Sequence, residues 1–150
     1  MGFDISGENP KNEKGEYFRN NVWWWRPLWQ YVSDMCPNII TKSDMVKGEY
    51  NDGHTISEEK ATRIAIRLEH LIKQGEVAKF TKDRKFMLDS LPDVKCDYCK
   101  GKKKEENGIP CVGCKGTGKM RPWATAYPFN EENVKEFAQF CRESGGFEIW

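Results

Sequence analysis

This sequence has no long apolar run, almost no net charge and only two histidines. No apolar run approaches the roughly 18 residues that a membrane-spanning helix needs. The formal net charge is only +1, so no global field directs the chain to nucleic acid or to a membrane. Residues 2–4 are Gly, Phe and Asp, which is not the basic-then-apolar pattern of a targeting signal. We therefore expect neither a membrane partner nor a targeting segment.

Signatures of catalysis are also missing. The chain has no Gly-x-Ser-x-Gly, no phosphate-binding Gly-Lys-Ser/Thr loop and no His-Glu-x-x-His. Of its two histidines, His70 falls off the apolar stripe of a predicted helix. His54 follows a predicted turn at 51–53, close to Asp44 and Glu49, so a hydrolytic or metal site could be placed there. That spacing matches no mechanism, and a surface loop is the favoured interpretation. The sequence therefore predicts that the protein is not an enzyme.

Cysteine, in contrast, occurs in an informative pattern. Cys96 and Cys99 form one Cys-x-x-Cys pair, Cys111 and Cys114 form a second, and a loop of eleven residues separates the two pairs. Each pair places two thiolates on one side of a tight turn, and two pairs supply the four ligands of a tetrahedral Zn²⁺. Two disulfides or a redox dithiol are the alternatives, and the paired spacing argues against both. Because four thiolates complete the coordination shell, the sequence predicts one structural zinc.

The two other cysteines are predicted to be small buried hydrophobic residues. Cys36 and Cys141 each fall on the apolar side of a predicted helix, which favours burial over a disulfide between them. Reduced, metal-bound cysteines are typical of the cytosol, so a cytoplasmic location is expected.

The cysteine segment resembles half of a DnaJ-type zinc domain. Residues 111–118, Cys-Val-Gly-Cys-Lys-Gly-Thr-Gly, match its Cys-x-x-Cys-x-Gly-x-Gly repeat, and residues 96–103 match it except that Lys103 replaces the last glycine. DnaJ-type domains use four repeats for two zinc sites, so two repeats imply one site. No His-Pro-Asp of a J-domain occurs, and co-chaperone activity does not carry over. The resemblance implies that the four cysteines are the ligands and that a β-hairpin-like scaffold surrounds the metal.

Charge is concentrated around the cysteines. Residues 95–121 contain eight Lys and Arg but only three acids. The lysines at 102, 103 and 104 form the densest group, and they are candidate contacts for phosphate. Lysines also keep small metal modules in solution, and this solvated interpretation is favoured.

Aromatic residues are abundant, with six Trp, five Tyr and eight Phe. Indole rings can stack on bases, arginine adds charge or cation–π contact, and both residue types anchor protein interfaces. Three interpretations stay open for the Trp-rich segment, namely a core, a protein interface and a nucleotide or nucleic-acid contact. The candidate contact residues there are Arg19, Asn20, Asn21, Trp23, Trp24, Trp25 and Arg26.

Apolar periodicity predicts a mainly α chain with small β pieces, an α+β fold. Proline at a first helical position places one helix at 27–36, so that the three tryptophans precede it in an extended segment. The predicted domains are a compact helical body, 1–92 plus 122–150, and a four-cysteine zinc hairpin inserted at 93–121. Further expectations are a strand at 3–5 followed by an irregular loop to 20, a helical turn at 41–46, helices beginning after Ser57, Gly75 and Asn130, an extended segment at 122–128 and a strand at 147–150.

Taken whole, the chain is similar to a family of small proteins of bacteria and their phages. The shared features are the Met-Gly-Phe-Asp start, the segment Tyr-Phe-Arg-Asn-Asn-Val-Trp-Trp-Trp-Arg-Pro-Leu-Trp at 17–29 and a Gly-Gly-Phe end. The resemblance brings no activity with it. It favours a phage-linked role and nothing finer. Our first hypothesis is a non-enzymatic protein that acts by occupying a partner protein, as a phage-encoded inhibitor of a host defence system would, in the bacterial cytoplasm. The alternative is a nucleotide or nucleic-acid binder that stacks bases on Trp and Arg and holds phosphate with the basic zinc loop. The oligomeric state does not follow from the sequence.

Overall fold

A computed structural model describes all residues, 1–150, and the chain divides into two units. Unit 1 comprises Met1–Asp83 and Tyr127–Trp150, and unit 2 comprises Arg84–Ala126. The predicted zinc hairpin at 93–121 lies inside unit 2, and its boundaries stay a prediction. None of the helices combines the length and the apolarity needed to cross a bilayer.

The elements confirm a mainly helical α+β chain. Unit 1 contains four strands and most of the helices, whereas unit 2 contains the end of α5, a short β-hairpin and one 3-10 turn. In chain order the elements are β1 (Gly2–Gly7), α1 (Glu13–Glu16), β2 (Tyr17–Asn21), α2 (Val22–Met35), α3 (Lys42–Lys47), β3 (His54–Ile56), α4 (Glu58–Lys73), α5 (Glu76–Asp89), β4 (Val94–Lys95), β5 (Lys119–Met120), a 3-10 turn (Trp123–Ala126), α6 (Glu131–Glu143) and β6 (Phe147–Ile149).

An antiparallel sheet in the order β2-β1-β6-β3 lies at the base of unit 1. The central strands β1 and β6 pair through Ile5 and Ile149, and every second side chain along them is buried. This alternation places one face of the sheet against the helices. The buried strand residues are Phe3, Ile5, Phe18, Ile56, Phe147 and Ile149.

Helices α2, α4 and α6 supply the other side of the core. Along α4, buried residues recur at the three- and four-residue spacing of an amphipathic helix, and α6 shows the same pattern. Arg142 of α6 also donates from Nε and Nη2 to the carboxylate of Glu69 of α4, which adds a polar contact between the two helices. The predicted caps Ser57 and Asn130 both accept a backbone N–H of the first turn, so the starts of α4 and α6 are confirmed.

Helix α2 begins five residues earlier than predicted. The side chain of Asn21 accepts the N–H groups of Trp23 and Trp24, which caps the helix before the tryptophans rather than after them. Pro27 therefore lies inside the helix, where it removes one backbone hydrogen bond. Burial of Trp25 outweighs that loss. The predicted helix is therefore confirmed over residues 27–35, whereas its predicted start at 27 and the extended Trp segment are wrong.

The predicted irregular loop up to residue 20 is also wrong, because it contains α1 and β2. Strand β2 pairs with β1 from Gly2 opposite Asn21 to Ser6 opposite Tyr17. This pairing joins strands on either side of residues 8–16, and it cannot be seen in the local polar composition of residues 6–16.

Two further expectations are contradicted, one through a distant strand pairing and the other through a local turn. His54 lies in strand β3 opposite Ile149, not in a surface loop, because β6 supplies a pairing partner from the other end of the chain. Residues Trp123–Ala126 form a 3-10 turn inside the segment predicted to be extended, and the hydroxyl of Thr125 donates to the carbonyl of Pro122 there.

Candidate metal centre

Four buried cysteines of unit 2 converge on one point. The sulfurs of Cys96, Cys99, Cys111 and Cys114 all lie within 4.8 Å of one another. Two of the sulfur pairs, 96 with 111 and 99 with 114, are 3.8 Å apart. A tetrahedron with metal–sulfur bonds of about 2.3 Å has edges of about 3.8 Å, whereas a disulfide needs about 2.05 Å. The donors therefore fit a tetrahedral metal ion such as zinc, and they form no disulfide.

The backbone around the sulfurs repeats itself with an offset of 15 residues. The N–H of Cys96 donates to the carbonyl of Gly118 at 3.0 Å, and the N–H of Cys111 donates to the carbonyl of Lys103 at 3.0 Å. The pairing of Lys95 with Lys119 is likewise matched by a bridge between residues 104 and 110. Two equivalent halves thus face each other across the centre, and each contributes one Cys-x-x-Cys pair.

Lys103 takes the conformation of the glycine that it replaces. Its φ is 70°, against 77° for Gly118 at the equivalent position of the other half. Left-handed backbone is unfavourable for residues with a Cβ. Lys103 keeps it because its carbonyl must accept the N–H of Cys111. Lys103 therefore differs from the repeat in residue type, but its backbone conformation is the one that the repeat requires.

Backbone N–H groups also stabilise negative charge on sulfur. Gly118 donates to the sulfur of Cys114 at 3.1 Å. Burial would raise the pKa of Cys114, but the N–H groups of Gly118 and Gly116, together with the neighbouring thiols, lower it to about 6. The lowered pKa of Cys114 favours its thiolate, which is the form that binds metal. Backbone N–H groups would also lower the pKa of Cys111, but burial and the thiols of Cys114 and Cys99 outweigh them and raise it to about 11.

The ends of this hairpin are tied to the last turn of α5. Arg121 donates to the carbonyl of Leu91 at 2.6 Å and to that of Leu88 at 2.8 Å, and it pairs with Asp93 at 3.0 Å. Carbonyls at a helix end have no partner within the helix. Arg121 gives a donor to Leu91, which lies beyond the end of α5, and a second donor to Leu88, whose carbonyl also accepts the N–H of Leu91 at 3.2 Å. These contacts hold the start and the end of the hairpin together.

The remaining two cysteines behave as predicted. Cys36 and Cys141 are buried in unit 1 and form no disulfide. Burial raises the pKa of Cys36 to about 11 and that of Cys141 well above its usual value. Both are therefore neutral thiols that pack like small apolar side chains.

The Trp-rich segment divides between core and surface. Trp25 is fully buried, stacks on Trp29 at 5.4 Å and donates from Nε1 to the carbonyl of Gly48. Trp23 is 38% exposed and rests against Tyr127 at 4.9 Å. Trp24 is half-buried. Only part of the predicted contact surface is thus open to a partner.

The polar candidates beside these tryptophans also have structural roles. Asn20 exchanges two side-chain hydrogen bonds with Asn133 of α6, and Asn21 caps α2. Arg19 pairs with Asp4 on the neighbouring strand at 3.5 Å, while Arg26 is exposed. Binding of a partner by these residues stays a prediction.

The candidate lysines are exposed in unit 2. Lys102, Lys103 and Lys104 follow the first half of the metal centre, and none of them forms an ion pair within 4.0 Å. Phosphate contact by these side chains also stays a prediction.

Sequence reasoning placed His54 near Asp44 but missed that Asp44 is the buried centre of an ionic cluster with Lys60 and Thr41 in unit 1. One carboxylate oxygen accepts from Lys60 at 2.5 Å and from the N–H of Thr41 at 2.9 Å, and the other lies 2.9 Å from Nε2 of His54. Burial alone would raise the pKa of this carboxyl group. The ammonium group of Lys60 and the hydroxyl and amide groups of Thr41 outweigh burial and hold the pKa well below its usual range. The cluster joins α3, β3 and α4, and the Thr-x-x-Asp capping box at 41–44 was the signal that could have revealed it.

No protein-family model matches the chain, and comparison with curated proteins and with solved structures finds no match either. The DnaJ-type and phage-family resemblances therefore rest on the residues quoted above.

Proposed function

We propose that the chain is a non-enzymatic, zinc-containing binding protein that acts by occupying a partner protein. The observation that supports this most directly is the buried four-sulfur cluster. A tetrahedral set of four sulfur donors is typical of zinc, and four thiolates leave no coordination position for water or a substrate. The zinc then stabilises the fold of unit 2 and leaves recognition to side chains elsewhere.

The proposed contact surface, here called the α2 surface, consists of Trp23, Trp24 and Arg26 in the first turns of α2. Tryptophan and arginine are among the residues most enriched at the energetic centres of protein interfaces. The cap by Asn21 and the contact of Trp23 with Tyr127 hold this surface in place before a partner arrives. Little conformational entropy would then be lost on binding.

The biological role proposed for this binding is inhibition of a bacterial defence system by a phage-encoded protein in the host cytoplasm. The similarity to small proteins of bacteria and their phages supports it, and reduced, metal-bound thiols suit a reducing compartment. Expression of the chain in strains that each carry one defence system should restore phage plating in one of them. That system then supplies the candidate partner.

The contact surface is tested with that purified partner by size-exclusion co-elution and calorimetry. Trp23→Ala and Arg26→Ala should each weaken binding about tenfold or more, as for residues at the centre of an interface. Trp150→Ala is the matched control, because Trp150 is 49% exposed elsewhere in unit 1. Native circular dichroism with unchanged affinity in both α2-surface variants would contradict the proposed surface.

A further inference from the structure

Tyr98 forms a flat aromatic platform beside the metal centre. Its side chain is 67% exposed. The ring lies so close to Gly113 that a Cβ on Gly113 would be 2.7 Å from Cγ of Tyr98 and even closer to Cδ2. Only glycine allows this approach. One side of the ring is therefore supported by backbone, and the other side faces solvent.

Cationic side chains surround this platform. Lys100, Lys102 and Lys104 line the same open cavity of about 680 Å³ as Tyr98. None of the three lysines forms an ion pair within 4.0 Å. Glu105 and Glu106 also line the cavity and reduce its positive potential, but Glu105 is already engaged by the N–H of Val112 at 3.2 Å.

The charge of the two units differs in sign. Unit 2 contains ten Lys and Arg against five acids, whereas unit 1 contains fourteen against eighteen. A divalent ion with four thiolates adds two negative charges, which leaves unit 2 with an excess of three positive charges. An anionic ligand is thus attracted to unit 2 and repelled by unit 1.

We propose that unit 2 binds single-stranded nucleic acid, with one base stacked on the open side of Tyr98 and phosphates held by Lys100, Lys102 and Lys104. Aromatic platforms beside a basic groove are the means by which proteins bind single strands without sequence preference. A duplex keeps its bases stacked on each other and cannot use the platform. Val112, which lines the same cavity and is 73% exposed, provides apolar surface next to the base. The site is independent of the α2 surface, which belongs to unit 1.

The test uses the zinc-loaded full chain and a fluorescein-labelled (dT)15, with binding followed by fluorescence anisotropy. Contact with about three phosphates predicts that the logarithm of the association constant falls with the logarithm of salt concentration with a slope of about −2. Replacing one of the three lysines by glutamine should make the slope shallower by about 0.7. A duplex of the same length should bind more weakly than (dT)15.

Variants at position 98 separate stacking from charge. Tyr98→Ala and Tyr98→Leu should each weaken (dT)15 binding about tenfold, while Tyr98→Phe keeps it. Tyr98→Leu retains an apolar side chain over Gly113, so it remains informative if Tyr98→Ala loses its zinc. Tyr50→Leu is the matched control, because Tyr50 is 58% exposed in unit 1.

Four results would overturn the proposal. They are no binding of (dT)15 at low salt, unchanged binding in Tyr98→Leu, equal binding of the duplex, and equally effective competition by a glutamate homopolymer of the same length. The last result would indicate an acidic protein partner instead. Trp23→Ala should leave (dT)15 binding unchanged, so failure of this site and failure of the α2 surface are measured separately.

Discussion

At the scale of the residue, Lys103 shows a conflict between residue type and backbone. The two halves of the hairpin require the same left-handed backbone at Lys103 and Gly118, and only Gly118 is suited to it. The left-handed conformation costs an L-residue roughly 1–2 kcal/mol. Replacing the residue by glycine removes this strain, but part of the gain is offset because glycine loses more conformational entropy on folding. The chain therefore retains a strained lysine at a position where glycine would be more stable.

Lys103→Gly should accordingly stabilise unit 2 by about 0.5–1 kcal/mol. Thermal unfolding and competition with a zinc chelator measure the gain. Lys102→Gly is the matched control, because Lys102 has no positive φ and glycine there adds only unfolded-state entropy. Gly118→Ala should have the opposite effect, since its Cβ would lie 3.1 Å from the carbonyl oxygen of Gly101. A lower melting temperature for Lys103→Gly would contradict the argument.

A second prediction at this scale concerns Asp44, whose lowered pKa makes the stability of the protein depend on pH. Its pKa is held below the unfolded value of about 4, so the charged form contributes stability above that pH. This contribution is lost as pH falls below about 4 towards the lower pKa of the folded state. The wild-type protein should therefore lose stability over that range more steeply than Asp44→Asn.

At neutral pH, Asp44→Asn should lower the free energy of unfolding by about 2–3 kcal/mol, because it weakens charge-assisted hydrogen bonds to a buried group. Urea unfolding at several pH values measures both effects. Glu49→Gln is the control, since Glu49 is an exposed carboxylate near the same helix. Parallel pH profiles for the wild type and Asp44→Asn would show that the cluster does not stabilise the protein.

At the scale of the element, the start of α2 depends on one side chain. Asn21 accepts two backbone N–H groups, each at 3.1 Å, and thereby begins the helix at Val22. An early start brings Trp25 and Trp29 onto one face, where both indoles find carbonyl partners, Gly48 at 2.8 Å and Met45 at 3.0 Å. Residues separated by four positions share a helix face.

Asn21→Ala should destabilise unit 1 by about 1 kcal/mol, because the cap is lost, while Asn21→Asp should retain it. The measurement is urea unfolding monitored by tryptophan fluorescence. Asn38→Ala provides the control, since Asn38 is exposed outside any helix. Equal stability of the alanine variants at 21 and 38 would indicate that core packing alone sets the start of α2.

At the scale of the whole molecule, the two units are stabilised differently. Unit 1 has a large buried core of strand and helix residues. The buried cluster of unit 2 consists of the four cysteines, with Met120 packed against it. Seven of the fourteen large exposed apolar side chains also belong to unit 2, which has only 43 residues. We therefore expect the fold of unit 2 to depend on a metal ion held by these four cysteines.

Removal of the metal by a chelator should unfold unit 2 and leave unit 1 folded. Hydrogen exchange should show loss of protection for residues 84–126 and its retention in α4, α6 and the four-stranded sheet. Elemental analysis should find one zinc per chain before treatment, lost in Cys96→Ser and kept in Cys36→Ser. Unchanged protection of residues 94–120 after complete removal of zinc would contradict the structural role of the metal.

Much of the metal centre followed from the sequence, and less of the fold did. Cys-x-x-Cys spacing confines each sulfur pair to one turn, so the cluster of four was predictable before any tertiary contact was known. The caps at Ser57 and Asn130 were also predictable, because they act over three residues. The start of α2 was not, since proline preference at 27 competed with a cap at 21 and with burial of Trp25.

The sequence by itself determined the features that form within a few residues, namely the four-sulfur site, the helix caps and the mainly helical character. Only the tertiary structure decided that β2 and β3 exist, that Trp25 is buried while Trp23 is exposed, and that Asp44 meets Lys60 and His54. Each of these depends on a partner far along the chain, such as β6 for β3. Pairing and burial are properties of two distant segments together, and no local pattern in either segment contains them.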